Sequence, residues 1–395
     1  MSKVLVTHPG LQHSHQLAQA LYEADMLSCF ISGVPVRENN NEWKFFPSVM
    51  TSKIKIVAIP KAFRRHPIYW QLIFRLAGRF GSAGFKHDFA HKIFHYFDDC
   101  MAKEVLLLKP DAVVCFENSA ASTFAAAKKI GAKCILDAPS IHYKAAAGLV
   151  GSVSNGYLLE VNARKEKELE LADLVIACSD YGAGTYIESG VPKNKVQSLL
   201  LGAELPSSLM NVDIHKTNKK IRFIFAGAMR KLKSIDLILS VFKKLEQESV
   251  AAELIIVGGS DSEHWIEMIE CFTNVTYAGS LPQQDLYRHF LQADCLLLPS
   301  RFDAFGMVVA EAMAAGVPAI VSTATGAKEM IEQFPGSGWV INADEKSIYD
   351  AVKNTVEGRW NLADASVQAL KASEYFTWSA YRKRVASLVQ AVLHG

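Results

Sequence analysis

Short apolar runs alternate with segments of helical pattern along the whole chain, and that alternation leaves few folds open. In the first half Val4–Thr7, Leu27–Ile31, Ala112–Phe116, Cys134–Ala138 and Leu174–Ala177 are apolar on both alternating faces, with helical patterns at His15–Tyr22, Ala120–Lys129 and Arg164–Leu171 between them. Runs this short, apolar on both faces and bounded by helices, predict parallel strands covered on each side. The plan repeats with strands at Phe223–Ala226, Leu254–Val257, Val275–Ala278, Cys295–Leu298 and Ala319–Ser322 and helices at Ser234–Leu245 and Gln284–Gln292. The polar stretch Asp213–Lys220 between the two series reads as a linker. The expected fold is therefore α/β, with two Rossmann-like doubly wound domains facing a cleft, over residues 1–205 and 218–374. The last segment, 375–395, with a helix at Ala380–Leu393, has no sheet partner in the second half and is expected to return to the first. Ligands of such sheets bind beyond the carboxyl ends of the strands.

Composition narrows the function. At 395 residues and 50% hydrophobic content the chain can bury two or three cores, and a formal charge of +2 gives no support to a nucleic-acid role. The seven cysteines are dispersed and mostly inside apolar runs, which suits reduced core residues in a reducing compartment. Residues 1–7 lead straight into a strand without a signal-peptide pattern, and no run of 18 apolar residues occurs. The expectation is a cytoplasmic protein, peripheral at most on the inner face of a membrane.

The segment from Leu296 to Pro318 carries the clearest chemistry. An apolar strand ends at Pro299-Ser300, and Phe305-Gly306 forms a turn whose backbone can approach a ligand closely. An alanine-rich helix over Val308–Ala315 then closes at Gly316 and Pro318. Free N–H groups at the helix start, around Gly306, Met307 and Val308, suit a phosphate. Glu311, one turn on, can accept two hydroxyl hydrogen bonds of a ribose, and Asp303 precedes the turn, where it would face whatever is joined to the phosphate. As an isolated pattern it reads equally well as a turn aspartate and a solvated helix glutamate.

These residues resemble the retaining glycosyltransferases of family 4, the large two-domain class of GT-B fold that includes sucrose synthases, glycogen synthases and bacterial mannosyltransferases. That family has Pro-Ser, a Glu, Phe-Gly and a second Glu eight residues after the first; Pro299-Ser300, Asp303, Phe305-Gly306 and Glu311 fill those positions, Asp303 being one methylene shorter. A second family element is a strand-ending glycine followed by Arg and, after a short loop, by Lys-Gly. Gly227 and Lys233 match it, while Ala228 and Ser234 replace the Arg and the Gly. The resemblance assigns the donor diphosphate to Lys233, with Arg230 or Lys231 supplying the missing positive charge. It places Gly258, Gly279 and Leu281 near the nucleotide, and Phe305, Gly306, Met307, Val308 and Glu311 around phosphate and ribose. In the first domain it gives His8-Pro9-Gly10 a place beside diphosphate and acceptor, with Gly10 allowing close approach. His142 resembles the histidine that touches the donor sugar, with a loop-capping histidine as the alternative.

The resemblance implies transfer of a sugar from a UDP- or GDP-sugar to a hydroxyl acceptor, with retention, in which Lys233, Asp303, His142 and Arg230 take catalytic roles. The acceptor would be a glycan, a lipid-linked saccharide or a small molecule, in cell-surface polysaccharide synthesis. No cofactor and no metal are expected: His8, His13 and His15 lack a cysteine or acidic companion at metal-site spacing. Between Lys53 and Lys92 nine Lys or Arg face one acidic residue, Asp88, interleaved with aromatics including Phe63, Tyr69 and Trp70. Such a segment can lie on an anionic membrane surface, or be a packed helix pair with a solvated basic face. The competing functions are a nucleotide-sugar epimerase, a phosphorylase, or a noncatalytic nucleotide-sugar-binding protein. A dinucleotide dehydrogenase lacks its Gly-x-Gly-x-x-Gly after an opening strand.

Overall fold

The structure is a computed structural model that describes residues 2–39, 42, 54–66, 83–150, 156–209 and 220–395. The chain forms two compact units: residues 1–177, 183–199 and 382–395, and residues 178–182 and 200–381.

The first unit is built on a parallel sheet. Its described strands are β1 (Val4–His8), β2 (Leu27–Ser32), β5 (Arg64–Arg65), β6 (Ala112–Phe116), β7 (Lys133–Ala138), β8 (Leu174–Ala177) and β9 (Val196–Ser198), in the order β5-β2-β1-β6-β7-β8-β9; β3 (Val36–Arg37) and β4 (Lys55–Ile56) pair separately. The helices are α1 (Ser14–Glu23), α2 (Ala83–Leu108), α3 (Ala121–Lys129), α4 (Tyr143–Val150), α5 (Gly156–Leu171) and α6 (Asp180–Glu188), whose last six residues belong to this unit. Strand β6 is buried at every position, as an apolar run between two helical layers must be. One core joins Leu5, Val113 and Leu136 of the strands to Phe97 of α2 and Phe124 of α3. Chain order reverses at β1, which has β2 on one side and β6 on the other, so the switch point opens beside His8.

The second unit repeats the plan with β10 (Ile221–Ala226), β11 (Ala252–Val257), β12 (Val275–Gly279), β13 (Cys295–Leu298), β14 (Ala319–Ser322) and β15 (Gly338–Ile341), ordered β12-β11-β10-β13-β14-β15 and all parallel. The helices are α7 (Ile235–Gln247), α8 (Glu263–Glu270), α9 (Gln283–Gln292), α10 (Met307–Ala314), α11 (Lys328–Gln333), α12 (Glu345–Val356), α13 (Leu362–Tyr375) and α14 (Trp378–His394). Helix α7 buries Ile235, Ile238, Leu239, Val241, Phe242 and Leu245 at helical spacing on one face. That burial contributes on the order of 10 kcal/mol before ordering entropy is subtracted. Here the switch point lies between β10 and β13, which brings the ends of β10, Ala226, and of β13, Leu298, to the same edge of the sheet. From Arg382 onward α14 belongs to the first unit, where Arg382 donates to Glu23 (3.0 Å) and Gln16 (2.9 Å) on α1.

Residues 213–219 of the expected linker lie outside the described residues, as do residues 53 and 67–82 of the basic aromatic segment. Among the described residues no helix is long and apolar enough to cross a membrane. The cysteines form no disulfide among the described residues; Cys29, Cys115, Cys134, Cys178 and Cys295 are buried and Cys271 is exposed.

Candidate active site

Two loops meet at the switch point of the second unit. The loop after β10, Gly227–Ser234, is tied to the loop after β13 by backbone: Arg301 and Phe302 N–H both donate to the Leu232 carbonyl, at 2.9 and 3.3 Å. Arg301 reinforces the joint with two bonds to the Asp236 carboxylate, 2.6 and 2.9 Å, and one to the Lys231 carbonyl. Burial opposes the charge of Asp236, but the Arg301 guanidinium outweighs it and holds that carboxyl below the usual range. Arg301 is therefore a structural clamp that orients the lysine loop. Lys233 Nζ lies 2.5 Å from Asp303 Oδ2, so residues 70 positions apart in sequence form one charged group.

Asp303 has a second task. Its Oδ1 accepts the Gly306 N–H at 3.0 Å and the Phe305 N–H at 3.3 Å, while its own backbone bonds Ala324 and Gly326. The expectation that Gly306 offers a free N–H is thus corrected: the aspartate side chain is short enough to fold back onto its own turn. Met307 and Val308 occupy the first turn of α10, where N–H groups have no intrahelical acceptor and suit an anion. Gly306 has φ +80° and ψ +54°, and an added Cβ would sit 3.0 Å from Thr325, so this turn admits little besides glycine. Glu311, buried and 8% exposed, accepts from Gln283 Nε2 at 2.9 Å, a partner on α9 that no sequence spacing announces.

The remaining donor-side glycines line the strand ends. Gly227 directly follows β10, and Gly279 ends β12; the Gly279 carbonyl takes the Gly258 N–H at 2.9 Å. At Gly258, φ is +144° and a Cβ would stand 1.9 Å from the Gly227 carbonyl oxygen. The two strand-ending loops touch backbone to backbone there, which requires glycine. Leu281 is half-buried just beyond, and Phe305 packs inward at 5% exposure. Arg230 is exposed, at the entrance to the tight turn 231–233. Ser234, where the family has glycine, is fully buried with φ +58°, and its Oγ has no partner.

In the first unit, Gly10 N–H donates to His8 Nδ1 at 2.7 Å, and the His8 ring lies 3.9 Å from Phe116. Burial and neighbouring His13 push the His8 pKa down to about 3, so it is neutral at ordinary pH. His13 Nε2 lies 2.9 Å from Asp137 Oδ2 at the end of β7, an acidic companion brought in from 124 positions away. Among the described residues no group of three or more His, Cys, Asp or Glu is placed to hold a metal ion. His142 is buried; its N–H donates to Thr185 Oγ1 (3.0 Å), and its Nδ1 accepts from Lys144 N–H (3.3 Å) at the start of α4. It has the loop-capping geometry, with the imidazole edge-on to Tyr186 and, chiefly through burial, a lowered pKa.

Residues 210–371 match the family model described as Glycosyl transferases group 1. The match lies within the second half of the chain. Among curated relatives, an uncharacterized 41.2 kDa protein of the cps region of Klebsiella pneumoniae is 29% identical over 197 residues, 48% of this chain and 53% of its own length. The amylovoran biosynthesis glycosyltransferase AmsK of Erwinia amylovora is 25% identical over 203 residues, 48% of each. These matches span about half the length of the relatives. Among solved structures, Anabaena HepE in complex with UDP superposes with a TM-score of 0.64 at 15% identity, covering 99% of this chain and 100% of that one. Likeness across both whole chains establishes the GT-B fold, and the group 1 segment contains both loops of the candidate site.

Proposed function

We propose that this protein is a retaining glycosyltransferase of family 4 that moves a sugar from a UDP- or GDP-sugar to a hydroxyl acceptor in polysaccharide synthesis. The observation that carries the reading is the joining of Lys233, Asp303 and the start of α10 at one switch point, with buried Glu311 one turn further. A strand-end site with a cation, helix N–H groups and an inward carboxylate offers a nucleoside diphosphate a partner for each of its parts. The AmsK name and the UDP held by HepE agree with that donor class.

In this reading the diphosphate takes up the Lys233 ammonium and the Met307 and Val308 N–H groups, and Glu311 binds the ribose hydroxyls. The bond between anomeric carbon and phosphate oxygen breaks as negative charge gathers on the leaving diphosphate, which Lys233 and the helix start stabilise. The acceptor oxygen bonds to the anomeric carbon on the same face, and its proton passes to the leaving phosphate oxygen. Asp303 orients the sugar while holding Lys233 in register. No step uses a cofactor or metal.

The test is release of nucleoside diphosphate from UDP- and GDP-sugars with and without saccharide acceptors, with mass analysis and anomeric NMR of the product. A new glycoside with the donor's anomeric configuration is expected. Turnover that needs no acceptor and gives an epimerised nucleotide sugar would sink it in favour of the epimerase.

A further inference from the structure

Just beyond the ends of β14 and β15, at Thr323 and Asn342, the second unit carries a depression that the proposed donor chemistry leaves unused. It has a volume of about 310 Å³ and is lined by Asn342 after β15, Ser347, Asp350 and Asn354 on α12, and Trp360 in the following loop, among others. A second depression of about 440 Å³, lined by Tyr349, Lys353 and Arg359, shares Asp350 and Asn354 with the first. The two therefore adjoin along one face of α12. Each is of the size of a small-ligand site.

The side chains are those that recognise a pyranose. Trp360 is stacked on Trp339 with ring centroids 4.6 Å apart and planes 6° from parallel, so the indole lining the depression is held rigidly from behind. A flat aromatic surface suits the apolar C–H face of a sugar, whose hydroxyl rim then needs planar donors and acceptors beside it. Asn342 and Asn354 supply them, beside Asp350, whose Oδ2 accepts from Lys346 at 2.6 Å and whose Oδ1 is the oxygen turned to a ligand in this reading. Arg359 donates to Asn354 Oδ1 at 3.0 Å, which fixes that amide and leaves its Nδ2 as the group able to donate. At the far end Tyr349 is held by Glu248 (2.5 Å) and by Lys244 over its ring at 4.0 Å, a second immobilised aromatic. A tryptophan pair that served only to cover the edge of β15 would need no such polar rim.

We propose that this face of α12 is a saccharide-binding groove for two or more neutral sugar units of a glycan chain, separate from the Lys233–Glu311 site. Trp360 carries one unit by stacking, and Asn354 and Asp350 bridge to the unit beside Tyr349. A chain held there stays with the protein between encounters, which raises its effective concentration.

Affinity electrophoresis of the full chain through gels containing glycogen, yeast mannan or dextran tests the idea. Retardation in at least one polysaccharide is expected, at least tenfold weaker in Asn354→Ala and in Trp360→Ala, and unchanged in Lys233→Ala. Because Trp360→Ala also removes the stack on Trp339, Asn342→Ala, at an exposed position, serves as the variant that cannot act through folding; it should weaken retardation at least threefold. Free migration in all three gels, or retardation that the Asn342 and Asn354 variants leave intact, overturns the groove. Either result leaves the donor-site reading standing, since that depends on nucleotide binding.

Discussion

Replacing Lys233 by alanine separates catalysis from stability. The ammonium lies 2.5 Å from Asp303 Oδ2, with the two side chains 27% and 18% exposed. At about 4 Å and an effective dielectric of about 20, one such charge on a leaving diphosphate contributes about 4 kcal/mol, and loss of one positioned electrostatic donor typically costs ~10²- to 10³-fold in turnover. A partly solvated pair contributes only about 1 kcal/mol to folding, and Asp303 keeps its Phe305 and Gly306 N–H bonds when the lysine is gone. Lys233→Ala should therefore lose two to three orders of magnitude in kcat with the fold intact. Steady-state release of nucleoside diphosphate, beside urea denaturation of both proteins, measures both quantities. A kcat within threefold of the parent would refute the electrostatic argument, and a loss of activity that tracks a large loss of stability would refute the separation.

Glu311→Ala should weaken nucleoside diphosphate binding by about 100-fold or more in calorimetry, from two lost hydrogen bonds to a charged acceptor at about 1.5 kcal/mol or more each, and an unchanged Kd removes the glutamate from the ribose. Ser234→Gly should raise stability by about 1 kcal/mol, since it relieves a left-handed conformation and a buried hydroxyl without a partner; a lower melting temperature would contradict this. Gly258→Ala should cost at least ~3 kcal/mol, because its Cβ would stand 1.9 Å from the Gly227 oxygen; near-parental unfolding would show that the contact relaxes cheaply. His8 has a folded pKa of about 3 against about 6.5 unfolded, so in that window the unfolded chain binds the extra proton and stability falls as pH falls. His8→Asn, whose Oδ1 can still accept the Gly10 N–H, should flatten the stability curve between pH 6 and 4.5 by about 1.4 kcal/mol per unit; identical slopes would place the proton elsewhere.

What the sequence made legible follows from where the information sits. Buried parallel strands write themselves as apolar runs, so Cys295–Leu298 and Ala319–Ser322 coincide with strands end to end. Short amphipathic pieces do not: Glu263–Glu270 has the polar surface of a loop, and buries only Trp265 and Ile269. Gly338–Ile341 escapes because a glycine and a tryptophan dilute its apolar run at the sheet edge. In the site, local features were readable, such as the glycine turn before α10. Pairings were not, because Lys233 with Asp303 and Arg301 with Asp236 are set by which strands adjoin at the switch point, and Gln283 with Glu311 by the packing of α9 beside α10. Asp303 illustrates the limit: its charge was readable, whereas its return onto the Gly306 N–H depends on the backbone path through 324–326.

Calorimetric titration of the full chain with UDP, GDP and ADP tests the central claim most directly, because every assigned role in the second unit presupposes a bound nucleoside diphosphate. The account predicts saturable one-to-one binding of UDP or GDP that Glu311→Ala weakens at least tenfold; no binding of any of the three, or binding indifferent to that substitution, would contradict it.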